Sequence, residues 1–292
     1  MKFNLKITKK NGLYAAYIAV VTIFFLYVLF PSDTLKKYLA YQLGGGNPNV
    51  VVSIKRVSPM LPPGIKLHDV GVSHQSVVLF GLDNLKIMPS LLSLFGTKTK
   101  VNFKATGYAG RLNGKAEFGD EKKAAEVKID GKISGVQVQK IPSLQRLSAH
   151  KISGLMGGNF AYTNTGPNRS LTGKLSMSDC RVELAAPVFS QKSLDFRNIN
   201  ADLLLNNRTL VIKQCTLKGN ELDVSISGTI GLNSGAGRNA LNLTGTMTPH
   251  HTLLAKIEKN LPPNFLKNIK AGKKEISFKI GGTLQDPGFL LN

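Results

Sequence analysis

The chain has 292 residues, 42% of them hydrophobic, with 38 Lys and Arg against 17 Asp and Glu, a net charge of +21. That much apolar material excludes a disordered tail, and two cysteines exclude a disulfide-dense scaffold or a four-cysteine zinc site. With 29 Gly, 13 Pro and no Trp, the composition is that of a turn-rich protein and not of a helical bundle.

The first element is apolar. Leu13 to Phe30 is a run of 18 residues without a charge. At about 1.5 Å per residue it reaches about 27 Å, which matches a bilayer core. Lys2, Lys6, Lys9 and Lys10 precede it with no acidic residue among them. A basic cluster of this kind stays in the cytoplasm and sends the following chain across. The run is longer than the core of a signal peptide, and no small-residue cleavage pattern follows Pro31. Four segments follow: a cytoplasmic stub over 1–12, a transmembrane anchor over 13–30, a juxtamembrane helix and linker over 31–48, and an exported domain over 49–292. The expected topology is a single pass, with the N-terminus cytoplasmic and the bulk of the chain across the membrane.

After the anchor, Ser32 is placed to cap a helix over about 32–43. Leu35, Tyr38, Leu39 and Leu43 recur at helical spacing, and Gly44-Gly45-Gly46-Asn47-Pro48 ends it. From there period two takes over. Val101 and Phe103 alternate with Asn102 and Lys104. Leu222, Val224 and Ile226 alternate with Asp223 and Ser225, and Leu241 and Leu243 flank Asn242. Ile276, Phe278 and Ile280 alternate with Ser277 and Lys279. Alternation of this kind marks strands with one buried and one wet face, and the Gly, Asn and Pro clusters between them suit an antiparallel meander. The expected fold is mainly β: one continuous, twisted antiparallel sheet. Short helices are expected over 89–95, where Pro89 leads, over 141–147, and over 252–270 as covers for an open sheet face. The ten apolar residues Val101, Phe103, Leu222, Val224, Ile226, Leu241, Leu243, Ile276, Phe278 and Ile280 are the candidate lining of an apolar groove.

No catalytic constellation emerges. The five histidines form no H-E-x-x-H, and no G-x-S-x-G elbow, P-loop or G-x-G-x-x-G occurs. The carboxylates are sparse and stand singly, whereas acid–base chemistry needs two groups brought together. No catalytic residue, metal ligand or cofactor is assigned, and the expectation is a non-enzymatic protein. Cys180 and Cys215 bracket a 36-residue loop. In an oxidising compartment they either pair, for roughly 3–4 kcal/mol in the loop-entropy account, or remain two buried thiols. The exported part holds 34 of the 38 basic residues and all 17 acidic ones. A net +17 favours anionic lipid or an acidic partner; nucleic acid is not expected there, because the charges are spread singly with no interleaved aromatics.

Several segments, in order, resemble one family. Leu61-Pro62-Pro63-Gly64-Ile65-Lys66-Leu67-His68-Asp69-Val70-Gly71-Val72 is similar to the opening exported segment of the bacterial type II secretion protein GspN. Ile87-Met88-Pro89-Ser90-Leu91-Leu92-Ser93-Leu94-Phe95-Gly96 and then Gly107 to Gly114 continue that order. Phe196 to Leu203, Ile226 to Ile230 and the final Gly281 to Phe289 resemble the related AsmA-like proteins. The resemblance implies a curled, AsmA-like β groove on a single anchor in a bacterial inner membrane, with the N-terminus cytoplasmic and the bulk of the chain in the periplasm. It implies a component of the type II protein secretion system that contacts other secretion subunits or, alternatively, a lipid-binding or lipid-transfer protein. It supplies no catalytic residues.

Overall fold

The computed structural model describes residues 9–44, 50–61, 63–74, 77–90, 93, 98–119, 126–147, 150–166, 168–188, 191–232, 240–251, 253, 275–283 and 286–291. It begins with helix α1 (Lys9–Val28) and helix α2 (Ser32–Leu43). Fourteen strands follow. The first seven are β1 (Val50–Met60), β2 (Gly64–His74), β3 (Val77–Pro89), β4 (Thr99–Gly107), β5 (Gly110–Phe118), β6 (Glu126–Gln137) and β7 (Lys151–Thr165). The others are β8 (Asn168–Val188), β9 (Gln191–Asn206), β10 (Thr209–Gly219), β11 (Leu222–Gly231), β12 (Leu241–Pro249), β13 (Ile276–Gly282) and β14 (Pro287–Leu291). A 3-10 turn at Val138–Lys140 and helix α3 (Pro142–Leu147) lie between β6 and β7.

The strands form one antiparallel sheet whose spatial order is the sequence order, β1 to β14. Most connections between consecutive strands are short, so that each new strand finds its partner in the one just made; the β6–β7 and β12–β13 connections are longer and keep the same order. The mainly β expectation holds. The curl does not: the sheet is uncurled and runs from β1 at one edge to β14 at the other without closing on itself. Where the ladder slips, it does so at bulges. Between Ile133 and Val136 the extra length is absorbed by Gly135, whose φ of 66° is open to glycine at little cost.

A buried hydrophobic cluster lies at the β1 end. Ile54, Val57, Leu67 and Val70 form it, and Phe30, Leu35 and Leu39 at the start of the chain pack on it. Helix α2 thus covers the first hairpin. Leu35 and Leu39, one turn apart, face it as the i, i+4 spacing requires, while Tyr38 and Leu43, expected on the same face, are exposed. Ser32 is not its cap: Pro31 holds that place, no side chain caps the end, and Ser32 is the first helical residue. Pro89, expected to lead a helix, is the last residue of β3 and stands opposite Val101. A proline is tolerated there, at a strand end. The remainder of the 89–95 helix lies mostly outside the described residues, as do the covers over 252–270 apart from Leu253.

Helix α1 is apolar all round, and its described side chains, among them Leu13, Ile18, Phe24 and Phe25, are largely exposed. Among the described residues no helix is long and apolar enough to cross a membrane. The single span expected over 13–30 is therefore not shown. The side chains at 19, 23 and 26 of α1 fall outside the described set.

Candidate functional site

The site is the sheet itself, because the register sorts its side chains into two unlike faces. Residues directly opposite one another share a face, and residues two apart along a strand share it too. From Val101 the ladder runs through Ala116, Ile129, Tyr162, Leu171, Leu205, Leu210 and Ile230 to Leu241. The next row on that face runs from Phe103 through Gly114, Gly131, Phe160, Gly173, Leu203, Ile212 and Gly228 to Leu243, Ile280 and Phe289. Every member of both rows is apolar or glycine. The glycines are places where a ring lies down: a methyl at Gly114 would strike Phe103, one at Gly131 would strike Phe160, and one at Gly245 would strike Phe278. Each phenylalanine thus covers a neighbouring strand's bare backbone, and the face stays continuous.

All ten residues expected to line a groove stand on this face. They are not equally covered. Leu241, Leu243, Ile276 and Phe278 are buried, with Phe278 also stacked on Phe289 at 5.4 Å between ring centres. Val101, Phe103, Leu222, Val224, Ile226 and Ile280 are half-buried. Sequence reading missed the middle of the rows, strands β5 to β10. The signal was present in Ile129 and Ile133, which alternate with Lys128, Asp130 and Lys132. In β9 it was masked, because Leu203, Leu204 and Leu205 follow one another and only the first and third share the apolar face.

The opposite face is polar and basic. Ser58, Lys66, Lys86, Lys104, Asn113, Lys132, Asn159, Lys174 and Asp202 stand in a single row across β1 to β9. A hollow of about 1120 Å³ opens on this face, lined from eight successive strands, β3 to β10. One row over, His68 accepts or donates a hydrogen bond with Ser58 at 3.2 Å. Burial first, and then the Lys66 and Arg56 charges, hold its ring below the ordinary 6.5. All three push the same way, since each disfavours a second positive charge.

At the far end, the β10–β11 turn is fastened by Asp223. Its carboxylate takes the Lys218 ammonium at 2.8 Å and the Gly219 N–H at 3.1 Å. The His250 ring lies 3.6 Å away and meets the Asn220 carbonyl at 2.9 Å through its other nitrogen. Burial pushes the Asp223 carboxyl up, but Lys218, Gly219 and His250 together outweigh it and hold it below the usual range.

The cysteines are not bonded. Cys180 stands opposite Phe196 and Cys215 opposite Ala201, so β9 lies between them and they sit five residues apart along it. That separation is well beyond the roughly 7 Å a disulfide tolerates. The disulfide alternative is corrected to two free thiols. Burial pushes both up, Asp195 adding to the effect at Cys180, so they stay protonated and unreactive at neutral pH.

Among the described residues no three His, Cys, Asp or Glu side chains converge as a metal site would require. No family model, curated protein or solved structure matches the chain.

Proposed function

We propose that the protein is a non-enzymatic lipid-binding protein, tethered to the bacterial inner membrane by α1, whose apolar sheet face receives acyl chains in the periplasm. The observation that carries this reading is the pair of unbroken apolar rows, half-exposed through the central strands. Half-covered apolar side chains over that length form a contiguous apolar surface, the kind of feature that marks a ligand groove. An acyl chain laid along it removes water from both partners at roughly 25 cal/mol per Å². The tether reading is supported by the exposed apolar residues of α1 and the lysines ahead of it.

A photo-crosslinker at 103, 203 or 224, in the detergent-purified full chain, tests the reading together with native mass spectrometry after lipid extraction. Co-purified phospholipid crosslinked at these positions supports it; no lipid, with the three side chains crosslinked only within the chain, refutes it. An active alkaline phosphatase fused after Met60 supports the tether and its orientation, and an inactive one refutes them.

The secretion-system reading is the second. Its support is the ordered resemblance to GspN and a specific feature of the sheet. In β14, Phe289, Leu290 and Leu291 are exposed, and the strand pairs only with β13 among the described residues. An unpaired edge of this kind accepts a strand from another subunit. Crosslinks from position 290 to a second protein, with none to lipid from the face, favour this reading over the first.

A further inference from the structure

The row of cations on the polar face obeys no obvious stability rule. Lys66, Lys86 and Lys104 stand directly opposite one another on three adjacent strands. Like charges so placed repel and destabilise a sheet. Among the described residues none of the three has an acidic side chain within ion-pair distance, although the acids of this same face are paired elsewhere, Glu117 with Lys100 and Glu126 with Lys128. The row goes on through Lys132 and Lys174, two strands apart each time. With neighbouring strands about 4.8 Å apart, the cations from β2 to β8 extend over about 29 Å in a straight line. The hollow lies along the part of this line from Lys104 to Lys174, and Lys86 and Lys66 continue the line beyond its edge. Five lysines border the hollow, Lys104, Lys115, Lys132, Lys174 and Lys213, against two acids, Asp130 and Asp202.

We infer that this lysine row and its hollow are a binding site for a linear, phosphate-bearing polymer without bases, of the polyphosphate or sugar-phosphate class. The polymer would lie across the strands with its phosphates on successive lysines. Three features select it. A line of point charges matches a chain of anions better than one compact ligand, and it is the ammonium of lysine, a mobile point charge, that is repeated here. The floor of the hollow is backbone and glycine, and the rings of Phe103 and Phe160 project from the opposite face, so nothing is present for a base to stack on; single-stranded nucleic acid relies on such stacking. The floor between the exposed lysines is recessed, so that a chain can lie in it where a flat membrane surface cannot follow. Binding would also remove the repulsion that the empty row carries. The site lies on the face opposite the acyl-chain surface and does not depend on the lipid reading.

Fluorescence anisotropy with end-labelled inorganic polyphosphate and the detergent-purified full chain tests it at several salt concentrations. Lys104→Gln, Lys132→Gln and Lys174→Gln are combined in one variant; all three side chains are exposed, and an unchanged far-ultraviolet spectrum verifies the fold. The expected result is a dissociation constant at least tenfold weaker. The slope of log K against log salt should be shallower by about 2, since each phosphate contact contributes roughly 0.7–0.9. A control with Lys37→Gln, Lys151→Gln and Lys192→Gln removes the same charge away from the hollow and should cost less than threefold. The proposal is overturned if the control loses as much as the row variant, which would make the attraction diffuse. It is equally overturned if oligo-dT or poly-glutamate binds more tightly than polyphosphate with the same lysine dependence, or if phosphatidylglycerol nanodiscs displace polyphosphate at equal phosphate.

Discussion

The first hairpin and the central strands carry the same alternating pattern and end up differently. In β1 and β2 the apolar face is closed: α2 lies on it, and Leu67 is 0% exposed. In β5 to β10 the apolar face bears side chains of the same kinds, Ile129, Ile133, Leu171 and Leu203, and each is only half-buried. Alternation therefore records that a face avoids water, and says nothing of what it meets instead. The hairpin has an internal partner in the twelve-residue helix α2. The central strands have none among the described residues, and that difference is what the proposed lipid reading builds on.

The comparison is broken or sharpened most sharply by two leucines. Leu67→Ala should cost about 2–5 kcal/mol, because a closed core cannot collapse onto the missing atoms. Leu203→Ala should cost under about 1.5 kcal/mol, since a half-exposed side chain has less burial to lose. Urea unfolding of the purified chain measures both. Equal losses would mean the centre is as closed as the end. Next comes Gly131→Ala, where the new methyl meets the ring of Phe160. A loss of about 1–3 kcal/mol in the same assay is expected if the central face is rigid despite its openness. No loss would mean that the ring swings freely away.

Asp223→Asn probes the opposite end. The pair with Lys218 is exposed on the lysine side, so the loss at neutral pH should be about 0.2–1 kcal/mol. The Asp223 carboxyl is held below its ordinary 3.8, so its contribution is complete above that value and disappears as pH falls through the lowered one. Thermal melts of both proteins should therefore converge in strong acid. The smallest effect concerns His68 on the polar face of the closed hairpin. Its ring should titrate below 6.5 by nuclear magnetic resonance, and Lys66→Gln should raise it only part of the way back, since burial is the larger cause. A full return would mean that the Lys66 charge, and not burial, is the larger cause.

Much of the sheet was legible in advance, and for a local reason. Val101 and Phe103, or Ile276, Phe278 and Ile280, alternate with polar neighbours inside one strand, and period two needs no knowledge of the fold. What was not legible is whatever depends on two strands at once. The alignment of Lys66, Lys86 and Lys104 appears only when the register is known; in sequence they are about twenty residues apart and look like scattered surface charge. The seating of Phe103 over Gly114 is hidden in the same way. The cysteines fell at comparable strand positions, and one intervening strand, β9, was enough to forbid their pairing. Ser32 failed as a cap because Pro31 turns the chain into α2 one residue earlier.

The sheet order has a consequence for how the chain comes to exist. Because every strand pairs only with its neighbours in sequence, no strand must wait for a distant one. Most of the loops to be closed are short, the long connection from Pro249 to Ile276 being the main exception, and the entropy cost of the short ones is correspondingly small. A chain delivered from its N-terminus can lay down β1 and β2 under α2, then add each strand to an edge already formed. The template at every stage is the strand just completed. A molecule assembled in this way grows as a fabric does, row on row, and the two textures of its faces are woven at the same moment.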